Sequence, residues 1–356
     1  GGPENPWRER LRRAILGFPP PVTEALARAR LPTGVVDDMR LMFPDELNRS
    51  TKLPRGVRGM SSFTTRQLHD WCLLPASELD AVATKVPFRL VADSATMGRL
   101  MAEELVELIA ANNAVGRATR AIIPCGPSCW YEPFTALVNE QRVSLRSLVV
   151  FHMDECLDWQ GRELPRAHPY SFRGFMEREF YAPVAEELAV LESNRVWPDA
   201  ENCREIETLI DAAPVDITYG GWGQDGHIAY NQARRHPYSP ATLDDVRSST
   251  VRVQDNNLDT IIALAQRTFG TAYQFVPPMS VTLGVRQCLG ARKIRLFSDT
   301  GAWKQTALRV ALFADPDPEY PMTLLQEHPD ALITATVETA THPISEHPEW
   351  DLGLTT

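Results

Sequence analysis

The chain has 356 residues, enough for one large domain or a large domain with an extension, and 44% of them are hydrophobic, so a substantial core can form. Its 36 Lys/Arg against 46 Asp/Glu leave a net charge of -10, which argues against a general nucleic-acid or membrane-surface binder. Six irregularly placed cysteines are too sparse for a disulfide scaffold, and no apolar run reaches about 18 residues, so a soluble, cytoplasmic protein is expected.

The texture changes near Pro87. Residues 1–87 hold 13 Lys/Arg and 10 Asp/Glu, so the acidic excess belongs wholly to residues 88–356. The extension carries three consecutive prolines, Pro19, Pro20 and Pro21, and short helical pieces at 7–16 and 65–71, with no strand pattern. From Phe88 onward the pattern alternates. Residues 89–92 predict a strand, and Ser94 predicts the N-cap of a helix whose Met97, Met101, Leu105, Leu108 and Ile109 share one face. Strands are predicted at 121–124, 148–153, 215–219, 293–297 and 331–337. Helices are predicted at 130–139, 171–181, 201–212 and 303–313. Apolar strands alternating with helices imply an α/β fold: a doubly wound, mostly parallel sheet covered on both faces, preceded by a mainly helical extension. Ligands of such folds bind at the carboxyl ends of the strands.

Three strand ends carry notable chemistry. After the 121–124 strand stands Cys125-Gly126-Pro127-Ser128, a small-residue turn entering a helix. It suits an anion, although a plain turn has the same composition and Pro127 lacks an N–H. After the 148–153 strand stand Asp154 and Glu155. Carboxylates just past a buried strand are costly unless used, and one could act as a general base; a helix cap with a surface ion pair is the bland alternative. After the 215–219 strand, Gly220, Gly221, Gly223 and Gly226 surround Asp225 and His227. The glycines permit close approach of a ligand, the imidazole can take and give a proton near neutrality, and Asp225 is near enough in sequence to orient it.

Three segments together resemble the glucosamine-6-phosphate deaminase/isomerase family. They are Phe-His-Met-Asp-Glu at 151–155, His-Pro-Tyr-Ser-Phe at 168–172 followed by Phe175 and Met176, and Gly-Gln-Asp-Gly-His-Ile-Ala-Tyr-Asn at 223–231. The family carries NMDEY, HPxSY…FM and GxDGHIAFNEP in the same order. Residues 281–285 resemble its LTVGV segment, 324–329 its LQxHP, and Lys304 falls at a GxxKA-like helix start. The likeness covers roughly residues 88–340. Related 6-phosphogluconolactonases share DGH but continue differently, so the deaminase side is closer. The resemblance implies a Rossmann-like three-layer sandwich, a small carbohydrate substrate, and no cofactor, metal, nucleic acid or membrane; a homo-oligomer is left open. It implies Asp154 as the base shuttling a proton between C1 and C2, His227 as the ring-opening group, and Asp225 and Gln232 as their catalytic partners. Gly126, Ser128, Glu155, Gly221, Gly223 and Lys304 are the expected substrate-binding residues.

Departures bear on the substrate. The family's glutamate after HIAFN is Gln232, which can orient an imidazole but cannot take a proton. The TGGTP phosphate loop is reduced to Gly126 and Ser128. The phosphate-contacting lysine of VPKY falls on Pro278, and the phosphate-contacting arginine aligns near residues 260–262, where no cation stands. Losing both removes charge-assisted hydrogen bonds, so an unusual mode of substrate binding is expected. Arg234 and Arg235 offer a substitute anion site, or a solvated loop pair. Cys125 and Cys129 lack further zinc ligands nearby and read as packing residues. The leading reading is an aldose–ketose isomerase or deaminase. The alternatives are a lactonase-type hydrolase and a non-catalytic sugar sensor; for the latter, residues 64–82 have a helix–turn–helix rhythm but too little charge for DNA.

Overall fold

The alternation of apolar strands and amphipathic helices builds a parallel sheet wrapped on two sides. The computed structural model describes residues 61–233, 241–301 and 303–353. Everything below lies in the unit formed by Met60–Ala233 and Thr242–Thr356. The principal elements in chain order are α1 (Thr65–Cys72), β1 (Phe88–Val91), α2 (Ser94–Ala114), β2 (Thr119–Ile123), α3 (Tyr131–Gln141), β3 (Leu148–His152), β4 (Asp154–Leu157), α4 (Phe172–Met176), β5 (Arg195–Val196), α5 (Cys203–Asp211), β6 (Ile217–Gly220), β7 (Arg252–Asp255), α6 (Leu258–Thr268), β8 (Met279–Thr282), β9 (Lys293–Ser298), α7 (Gln305–Phe313) and β10 (Ala331–Thr336).

Seven strands form the main sheet in the order β1-β10-β9-β6-β2-β3-β5, with every pairing parallel. This is the expected doubly wound α/β class. Alternate residues of each strand enter different cores. Ile122, Phe151 and Leu296 pack on one face, while Ala121, Ile123 and Val150 pack on the other. The second face is covered by α2, whose Met97, Met101, Leu105 and Ile109 are buried as their spacing predicts. The cap of α2 is Asp93 rather than Ser94: its carboxylate accepts from the Thr96 N–H at 2.7 Å. The predicted 171–181 helix begins at Phe172, one residue later than predicted, with Ser171 as its N-cap, and its second half is a π-helix, Glu177–Tyr181.

A second sheet was not visible in the apolar pattern. Strands β4, β8 and β7 pair antiparallel, with Asp154 opposite Thr282 and Arg252 opposite the same Thr282. The chain crosses from the large sheet to the small one in a single residue: β3 ends at His152 and β4 begins at Asp154. Met153 bridges them, its N–H donating to Ile123 O and its carbonyl accepting from Leu283 N–H.

Residues 61–87 pack into this unit. Arg309 on α7 is wholly buried and donates to the carbonyls of Trp71, Leu74 and Ala340 at 2.9–3.0 Å. Leu79 and Val86 join the hydrophobic cluster on the first sheet face. The helix–turn–helix rhythm of residues 64–82 resolves into α1, a 3-10 turn and the single helical turn Leu79–Val82, too short for a recognition helix. The predicted 7–16 helix and the three-proline stretch lie outside the described residues. Among the described residues no helix is long and apolar enough to cross a membrane.

Candidate functional site

Strands β2 and β6 are neighbours in the sheet, yet the chain leaves β2 toward β3 and leaves β6 toward β9. Their carboxyl ends diverge there and open the crevice expected at such a switch point. A cavity of about 350 Å³ fills it. Its walls come from residues 124–128 after β2, Asp154 at the β3–β4 junction, the loop after β6, α6, and Asp299, Thr300, Trp303 and Lys304 after β9.

Asp154 is 8% exposed and lines this cavity. Burial pushes its carboxyl up to about 7; the neighbouring Glu155 charge adds to the rise and His227 opposes it. A carboxyl in that range exchanges its proton readily at neutral pH. Glu155 is not brought to the cavity. Its carboxylate accepts the N–H groups of Cys156, Phe172 and Arg173 at 2.7–2.9 Å, so it caps the start of α4. Burial raises its pKa to about 7 against those three hydrogen bonds. The expected substrate contact by Glu155 is therefore corrected to a helix cap. Successive side chains of a strand point to opposite faces, and Asp154 and Glu155 are successive residues of β4.

The loop after β6 is shaped around one imidazole. The Gly226 N–H donates to Gly223 O, and the Gly223 N–H donates back to His227 O, both at 3.0 Å, with Gly226 at φ +71°. A Cβ on Gly223 would lie 2.0 Å from His227 Cε1, so only glycine leaves room for the ring. The Asp225 carboxylate is buried and accepts from His227 Nδ1 at 2.5 Å. That bond fixes the proton on Nδ1 and leaves Nε2 as the basic nitrogen. The imidazole lines the cavity and stacks near the Tyr230 ring, 6.2 Å between centroids.

Gln232 is a second correction. It does not reach the imidazole: its amide donates to Thr260 Oγ1 at 2.6 Å, and its carbonyl accepts from Asn257 N–H at 2.7 Å. The residue pins the start of α6 and holds Thr260, which itself lines the cavity. Of the expected substrate-binding residues, Gly126, Ser128, Gly221, Gly223 and Lys304 line the cavity. A Cβ on Gly126 would meet nothing within 4 Å, so no close packing demands glycine there. Burial lowers Lys304 to about 8, helped by the Arg267 charge and opposed by Asp299. Cys125 lines the cavity with its thiol pushed up by burial. Arg234 and Arg235 lie outside the described residues. Apolar spacing and motifs had passed over Arg267, Trp222 and Trp303, which also line the cavity. Arg267 lies seven residues, two helical turns, beyond Thr260 on α6, a phase relation that could have found it.

The arrangement thus joins a carboxyl lifted to about 7 and an imidazole held through Nδ1, with hydroxyls and two cations around one crevice. No protein-family profile matches the chain. It is similar to the glucosamine-6-phosphate deaminase of Serratia proteamaculans, 31% identical over 248 residues, covering 68% of this chain and 86% of the relative. It is 33% identical over 217 residues to that of Parabacteroides distasonis, covering 59% of this chain and 74% of the relative. Among solved structures, a monomeric glucosamine-6-phosphate deaminase described as a missing link of the NagB superfamily superposes with a TM-score of 0.60 at 20% identity. It covers 71% of this chain and 98% of that one. The 6-phosphogluconolactonase of Trypanosoma cruzi superposes at 0.50 and 17% identity over 72% and 96% of the two chains, so these two likenesses speak for the fold alone. With the Serratia enzyme matched across most of its length, this chain belongs to the glucosamine-6-phosphate deaminase family.

Proposed function

We propose that this chain is an aldose–ketose isomerase of the deaminating kind, acting on a 2-amino sugar or its phosphate. In this reading His227 Nε2 takes the proton from O1 and returns it to O5, which opens the ring. The Asp154 carboxylate then removes the proton from C2, leaving an enolamine, and delivers it to C1. The resulting C2 imine is hydrolysed by water to a ketose, and ammonia leaves. Asp225 acts through His227 by holding its tautomer.

The observation supporting this reading is that Asp154 and His227, 73 residues apart, face one cavity, one a carboxyl lifted to about 7 and the other an imidazole held through Nδ1. A general base must be ionised, so kcat/KM is expected to fall as pH drops below about 7. A coupled assay for ammonia release tests the chemistry. Asp154→Asn is expected to lower kcat by about 10²- to 10⁴-fold while sugar binding, read by calorimetry, persists. Full turnover in that variant, or lactone hydrolysis without ammonia release by the native chain, would sink the proposal.

A further inference from the structure

Thr260 stands in the first turn of α6, 4% exposed, on the face that Ala263, Leu264 and Arg267 continue along the cavity wall. Two amides converge on its hydroxyl. Gln232 Nε2 donates to Thr260 Oγ1 at 2.6 Å, and Gln224 Nε2 donates to it at 3.3 Å. The orientation of the Gln232 amide is fixed, because its carbonyl accepts from the Asn257 N–H at 2.7 Å. A hydroxyl has two lone pairs and one proton. Both lone pairs are taken here, so the proton is all the group has left to offer. A helical threonine can give that proton to a carbonyl one turn back, but among the described residues no oxygen accepts it. A buried donor without an acceptor is costly, and the cavity that Thr260 lines is where an acceptor can stand.

We propose that Thr260 donates its hydroxyl proton to a hydroxyl or carbonyl oxygen of the bound sugar, and that Gln232 is the positioning residue that commits this proton to the cavity. The GxDGHIAFNEP motif has glutamate where this chain has Gln232. A carboxylate carries no N–H, so at this position it would take the Thr260 proton for itself. The amide reverses that bond. One nitrogen in place of one oxygen thus turns a closed hydroxyl into a ligand contact. An ammonium has no lone pair to offer, so the amino group of a 2-amino sugar is turned away from this wall. The proposal takes the sugar from the functional reading above, but the hydrogen bond is testable without turnover.

The test is calorimetric titration of the full chain with glucosamine 6-phosphate at pH 8, carried out on Asp154→Asn so that turnover does not intrude. Thr260→Val, which keeps the side-chain shape, is expected to weaken binding about 5- to 10-fold, and Thr260→Ser to restore it. Gln232→Glu is expected to weaken binding as well. Adding Thr260→Val to Gln232→Glu should then change affinity by less than about 2-fold, because the carboxylate has already taken the proton. A merely structural role for Thr260 would lower the thermal midpoint without producing that non-additivity. If Thr260→Val fails to fold, Thr260→Ala in the same two backgrounds decides. Binding unchanged by Thr260→Val, as when a reversed Gln224 amide takes the proton, would overturn the proposal. So would an equal loss in both backgrounds, or no detectable sugar binding. The two proposals fail separately. Sugar binding that depends on Thr260, with no ammonia release by the native chain, supports the contact and sinks the deaminase reading. Ammonia release with kcat and KM unaffected by Thr260→Val does the reverse.

Discussion

Burial lifts the Asp154 carboxyl from 3.8 to about 7, so the folded chain holds this proton to a higher pH than the unfolded chain does. The protonated form is the one the fold favours. Its contribution to stability is fully present below about pH 4 and is lost as pH rises through about 7. Asp154→Asn, neutral throughout, escapes that loss. It is expected to be more stable than the native chain by about 2–4 kcal/mol at pH 8 and to show no such gain at pH 4, read by urea unfolding at both values. An equal difference at the two pH values would contradict this account. The same substitution is the one expected to lower kcat, so on the proposed function the residue would trade stability for reactivity. Gly223 acts by its emptiness. The Cβ of Gly223→Ala would overlap the His227 ring, so kcat is expected to drop about 100-fold with little change in thermal midpoint. Undiminished kcat would show that the ring has room to move.

At the scale of elements, α7 does two jobs. Its start follows Lys304, and its middle carries Arg309, which ties the carbonyls of Trp71 and Leu74 to the body of the fold. Burial lowers the pKa of Arg309 to about 10, and its bonding partners are backbone carbonyls. Arg309→Gln would leave several of those carbonyls unpaired. It is expected to cost about 2–4 kcal/mol in urea unfolding and to speed proteolysis between residues 72 and 87; an unchanged unfolding midpoint would argue against it. Elements differed in how readily the sequence disclosed them. Helix α2 was legible because five apolar side chains repeat on one face over 21 residues. Strands β4, β7 and β8 were not, since each spans four residues and β4 is buried on both sides, which leaves no alternation to read. Their partners are 24 residues or more away, at separations that local pattern does not encode.

For the whole molecule, a net charge of -10 conceals a cavity lined by two cations, Arg267 and Lys304. The sequence by itself determined the α/β class, the strand ends that matter, and the pairing of Asp225 with His227, because each rests on local spacing or on a motif. Tertiary structure decided which neighbours face the crevice. Asp154 faces it and Glu155 turns to a helix start because adjacent residues of a strand diverge. Gln232 is drawn to Thr260 because α6 begins beside it, and Arg267 reaches the same crevice because two turns of that helix return it to the same side. These are consequences of where the chain returns in space, and the return is set by packing between elements far apart in sequence.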